Sequence, residues 1–199
     1  LKLADLWRYE AGDLVQDWCL EPDTWESFMS WQAKGRGILL VMTHLGNWEI
    51  GAPLLARRGV KLLVLTQAEP ASGLTELRIA SRAKWGIETL VVGADSFAFV
   101  EVIKRLQEGA TVALLIDRPT APTAVRVELF GQPFLASVAA AELARASGCV
   151  LARGSVLRTG DTYTARIHPE IEYDRQALGS REARRQLTQQ ILRAFEPEI

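Results

Sequence analysis

The chain has 199 residues, 48% of them hydrophobic, with 23 Lys and Arg against 24 Asp and Glu for a net charge of -1. That size fits one domain with a sizeable core, and the near-neutral balance disfavours a nucleic-acid partner, which would want a basic face. No apolar run reaches the roughly 18–20 residues of a membrane span, and no charged start followed by a short apolar core marks a signal peptide.

The first 34 residues read as one or two helices, a segment packed on or beside an α/β core that spans residues 35–199. Four of the six tryptophans, Trp7, Trp18, Trp25 and Trp31, lie here. Indoles favour a membrane interface. Three basic against seven acidic residues give the segment a charge of −4, which opposes anionic lipid and favours packing onto the domain. Cys19, in this segment, and Cys149 are far apart and have no second cysteine at metal or redox spacing, which points to reduced thiols.

Beyond it, strand-like runs alternate with helical spacing. The strands are "GILLVMT", "KLLVLTQ", "ETLVVG", "TVALLID", "AVRVELF", "CVLARGSVLR" and "YTARIHP". Helices are expected over residues 49–58, 73–84, 96–107, 136–147 and 181–195. In "RTGDTY", Gly and Asp stand where a tight turn needs them, so the last two strands form a hairpin. The expected fold is a single-domain α/β architecture, a mixed sheet flanked by helices, parallel at its centre and antiparallel late. Arg57, Arg58 and Lys61, and separately Arg181, Arg184, Arg185 and Arg193, form basic clusters that suit an acidic carrier, lipid head groups or solvent.

One of the two histidines interrupts this pattern. In "ILLVMTHLGNWEIGAPLL" a buried strand stops at a polar knot and a helix follows, so His44 ends a strand, Gly46 supplies the bend and Asn47 caps the helix. Strand carboxyl ends are where open α/β sheets gather reactive groups. An imidazole there suits a general base, because its ordinary pKa lies near neutral; a histidine merely satisfied by a turn is the alternative. Glu49, in the first helical turn, faces back toward the imidazole as its orienter, or simply favours the helix dipole. Asp117 ends "TVALLI" in the same way and either steadies His44, contacts substrate or bonds nearby amides. Arg78 has forked donors for a phosphate or carbonyl oxygen, or else sits on a solvated helix face. His168 is read as structural. Walker-lysine, G-x-G-x-x-G and G-x-S-x-G motifs are all absent.

"THLGNWEIG" resembles the H-x4-(D/E) signature of lysophospholipid acyltransferases, in the form typical of the bacterial lipid A late acyltransferases. The similarity continues through Arg78, the approach to Asp117 and "VELFGQPF", and covers most of residues 35–170. The resemblance implies a glycerol-3-phosphate acyltransferase-like fold, with His44 as catalytic base, Glu49 as its partner, and Asp117 and Arg78 in the site. It further implies a fatty acyl group passing from acyl carrier protein or acyl-CoA to a hydroxyl of a lipid acceptor, with no metal and no cofactor. Gly46, Asn47, Trp48, Arg118, Phe130 and Gly131 are the further candidates for binding substrate. Arg118 stands where the family usually has Gln, and Leu129 replaces the first Phe of an F-F-G segment. The family implies work at a membrane surface, the cytoplasmic face of the inner membrane, peripherally or through an anchor missing from a chain truncated at both ends. A non-catalytic lipid- or carrier-binding module and an acyl thioester hydrolase are the other readings.

Overall fold

The sequence order strand, helix, strand builds a six-stranded sheet in the computed structural model, which describes residues 7–8, 22–70, 73–93, 97–160 and 162–199. Strand β1 (Ile38–Met42) lies between β4 (Thr111–Leu115) and β7 (Val150–Thr159), with β2 (Leu62–Gln67) and β3 (Glu88–Val92) outside β4. All of these neighbours run parallel; β8 (Thr162–Glu170) alone is antiparallel, on β7. Every residue of β1 is buried, as a strand covered on both faces requires.

Alternation along the strands sends side chains to two separate cores. Ile38, Leu40 and Met42 join one core with Phe28 and Trp31 of α1 (Pro22–Ala33) and Ile50 and Leu54 of α2 (Trp48–Arg57). Leu39 and Val41 join the other, with residues of α4 (Phe97–Gln107), α5 (Ala139–Ser147) and α6 (Arg181–Arg193). Helix α3 (Leu74–Ala83) connects β2 to β3. Among the four N-terminal tryptophans, Trp31 is buried, Trp25 packs against the same core and Trp7 is exposed. Trp18 and Cys19 lie outside the described residues. Cys149 is a buried free thiol. None of the described helices is long and apolar enough to cross a membrane.

One region departs from the expected pattern. Strand β5 (Ala124–Leu129) does not enter the main sheet but pairs with β6 (Gln132–Ser137) as a separate antiparallel ribbon. The expected helix over residues 136–147 accordingly begins at Ala139. Pro133 obscures β6 in the sequence because proline is excluded from central strands; a two-stranded ribbon has only edges and tolerates it. The turn is made by Phe130 and Gly131, both at positive φ, 51° and 71°.

Candidate active site

The register of the two central strands sets the site. Met42 of β1 is level with Leu115 of β4, so two residues further on His44 and Asp117 leave the same end of the sheet side by side. His44 Nδ1 lies 2.8 Å from Asp117 Oδ1, and the His44 amide donates to Asp117 Oδ2 at 3.0 Å. Burial pushes the Asp117 carboxyl up, but the hydrogen bonds from the His44 ring and amide outweigh it and hold the group below its ordinary value. An ionised Asp117 only accepts, so Nδ1 is the donor of this bond, and in the neutral ring that tautomer leaves the lone pair on Nε2. The Trp48 ring packs edge-on against the imidazole, with centroids 4.6 Å apart and planes at 76°, which restricts its rotation.

Gly46 makes the bend at φ 59° because the turn presses on β7: a Cβ there would lie 1.8 Å from the Val156 carbonyl oxygen. That carbonyl accepts the Asn47 amide at 3.1 Å. The expected capping by Asn47 is not realised, since its side chain makes no cap bond although the residue occupies the N-cap position and is buried. With its backbone amide on Val156, Asn47 does not offer that N–H to a substrate oxygen.

The expected pairing of Glu49 with His44 is replaced by another. The Glu49 carboxylate accepts from Arg82 Nη2 at 2.9 and 3.1 Å and from Arg82 Nε at 3.3 Å, while Arg78 Nε lies 3.9 Å away. The physical reason is burial. Both side chains of the Glu49–Arg82 pair are only 6% exposed, and a buried carboxylate needs a full counter-charge that a neutral imidazole does not supply. Arg78 in turn forms an ion pair with Glu69. Arg82 Nη1 and Arg78 Nε are buried donors without a hydrogen bond.

Arg82 escaped the sequence reading. Its signal was the spacing in "LRIASR", which stacks Arg78 and Arg82 one turn apart on one helix face, toward whatever acid the core supplies.

His44, Trp48, Arg78, Arg82 and Arg118 line one cavity of about 270 Å³, together with Glu69 and the end of β2. Trp48, Arg82, Leu114 and Leu115 are at the same time the wall of a second, narrow cavity under α2. That one is floored by small residues of the sheet, Ala113, Gly154 and Ala165, and is otherwise almost wholly apolar. Phe130 and Gly131 are not brought to either cavity; they form the far turn of the ribbon, where the Phe130 amide donates to Glu196 Oε1 at 2.7 Å. His168 is held by Arg153, at 2.9 Å, and Glu198, at 2.8 Å, in a cluster that includes neither His44 nor Asp117.

The model of one protein family, described as bacterial lipid A biosynthesis acyltransferase, matches residues 15–199. The chain belongs to this family. Its similarity extends to phosphatidylinositol mannoside acyltransferases. That from Mycobacterium tuberculosis is 30% identical over 142 residues, covering 70% of this chain and 45% of the relative. That from Mycolicibacterium smegmatis is 28% identical over 140 residues, covering 69% and 46%. The chain thus spans just under half the length of these curated relatives. Within the lipid A biosynthesis acyltransferase family this member presents an imidazole held by a carboxylate, beside a polar cavity that shares a wall with an apolar one.

Proposed function

We propose that the chain carries the catalytic centre of an acyltransferase that moves a fatty acyl group from a thioester, of acyl carrier protein or coenzyme A, to a hydroxyl of a lipid acceptor. The observation that carries this reading is the Asp117-held imidazole on a cavity continuous in its wall with an apolar one. His44 Nε2 takes the proton of the acceptor hydroxyl as its oxygen attacks the thioester carbonyl, and Asp117 stabilises the imidazolium that forms. When the tetrahedral intermediate collapses, the carbon–sulfur bond breaks and the proton passes from His44 to the departing thiolate. Arg82 Nη1, a buried donor without a partner on this wall, is the group suited to the developing oxyanion. The lining of the apolar cavity suits the start of the acyl chain; its volume of about 40 Å³ is too small for a whole one, so the cavity has to widen to take it.

The family and the relatives' names direct the acceptor toward a glycolipid, a lipid A precursor or a phosphatidylinositol mannoside. Such an acceptor places the work at a membrane surface, and we assign it to the cytoplasmic face of the inner membrane. The test is incubation with palmitoyl-CoA or palmitoyl-carrier protein and a bacterial membrane lipid extract, with mass analysis of the products. A new lipid heavier by one acyl group, absent with His44→Ala, supports the reading. Free fatty acid as the sole product makes the protein a thioester hydrolase, and no turnover with either donor leaves a binding module.

A further inference from the structure

Three arginines line the cavity beside His44, and they differ in how they are compensated. Arg82 is matched by Glu49 and Arg78 by Glu69. The third carboxylate, Asp117, is held by His44. Arg118 is exposed, and no side chain among the described residues hydrogen-bonds or ion-pairs with it. Its guanidinium therefore stands at the cavity with all its donors available, one residue from the carboxylate that holds the base. Arg78 and Arg82, which line the same cavity, each keep one buried donor, Nε and Nη1, without a hydrogen bond. Forked donors in this setting match the oxygens of a phosphate, which takes bidentate guanidinium contacts.

We propose that Arg118 anchors a phosphate group of a substrate in the His44 cavity. The inference deepens the acyl-transfer reading and rests on it for the identity of the substrate, though not for the binding itself. Two substrate classes carry the group: the donor, through the phosphates of coenzyme A or of a carrier's phosphopantetheine, and the acceptor, through a phospholipid head group. Anchoring at Arg118 fixes the distance from that phosphate to the reacting atoms, a positioning role that lowers the entropy cost of the attack.

The test is equilibrium binding with the purified chain, wild type, Arg118→Gln and Arg118→Lys, against two ligand pairs that differ in phosphate. Coenzyme A is compared with pantetheine, and dihexanoyl-phosphatidylinositol with dihexanoylglycerol. Loss of one charge-assisted contact is expected to weaken one phosphate ligand about tenfold in Arg118→Gln. Its phosphate-free partner is expected to change less than about twofold, and Arg118→Lys is expected to recover part of the loss by keeping the charge. A loss on coenzyme A assigns the anchor to the donor; a loss on phosphatidylinositol assigns it to the acceptor. Equal weakening of both members of each pair, no weakening, or no binding of either phosphate ligand to the wild type at millimolar concentration overturns the proposal. A phosphate-selective loss in a chain that transfers no acyl group leaves this site standing and removes the acyltransferase reading instead.

Discussion

Replacing Glu49 by Gln separates a structural counter-ion from a catalytic partner. The substitution keeps size and one acceptor oxygen but strands Arg82, whose side chain is 6% exposed and takes three contacts from that carboxylate. Removing one partner of a buried pair costs about 3–5 kcal/mol; because the amide retains an acceptor oxygen and Arg78 keeps its ion pair with Glu69, the lower end, about 3 kcal/mol, applies. In a chain of this size about 1 kcal/mol moves the melting temperature by roughly 2–4 °C, so Glu49→Gln is expected to melt about 6–12 °C below wild type. Adding Arg82→Gln removes the stranded charge, and the double variant is expected to regain at least about 1 kcal/mol over Glu49→Gln. Differential scanning calorimetry gives both quantities, and a pH–rate profile on the same samples reports the base. Because Asp117, not Glu49, holds the imidazole, the acid limb of that profile is expected to stay in place. A melting temperature within about 2 °C of wild type together with a displaced acid limb refutes the reasoning and returns Glu49 to His44.

Asp117→Asn is expected to lower acyl transfer by about 10²–10⁴, comparable to loss of the base, because an amide neither fixes the imidazole tautomer nor stabilises the imidazolium; near wild-type turnover contradicts the assignment. The same variant has a pH signature. The Asp117 pKa is lowered in the folded chain, so its stabilisation is fully present above the ordinary carboxylate value of 3.8 and is lost as pH falls through the lowered value. Urea melts are therefore expected to show a wild-type advantage over Asp117→Asn at pH near 5 that shrinks toward pH near 3. Gly46→Ala meets backbone, not a movable side chain, at 1.8 Å and at a φ of 59°. It is expected to cost at least about 2 kcal/mol and to impair transfer by shifting the His44 turn, which calorimetry and the acyl-transfer assay read together. Ala113→Val fills the floor of the apolar cavity, so the acyl-length profile of products is expected to move to shorter chains; an unchanged profile places the acyl chain elsewhere.

Some of this was decided by the sequence alone. The run from Ile38 to Met42 is a doubly buried strand because covering both faces leaves no room for polar alternation, and the apolar period after Asn47 is a helix whatever surrounds it. Those two local rules suffice to put His44 at a strand end, where a sheet of this kind collects its chemistry. They do not say which carboxylate meets the ring. Local spacing favoured Glu49, five residues away, but the partner is Asp117, 73 residues away, because β2 and β3 fold outward and return β4 to the side of β1 in a register that levels the two strand ends. Burial then redirected Glu49 to Arg82 on a helix 33 residues away, a pairing that depends on which charges share the low-dielectric interior and not on sequence distance. The ribbon of β5 and β6 is tertiary in the same sense. Its turn residues, Phe130 and Gly131, look like part of a site when read along the chain, and lie away from both cavities once the ribbon packs along α6.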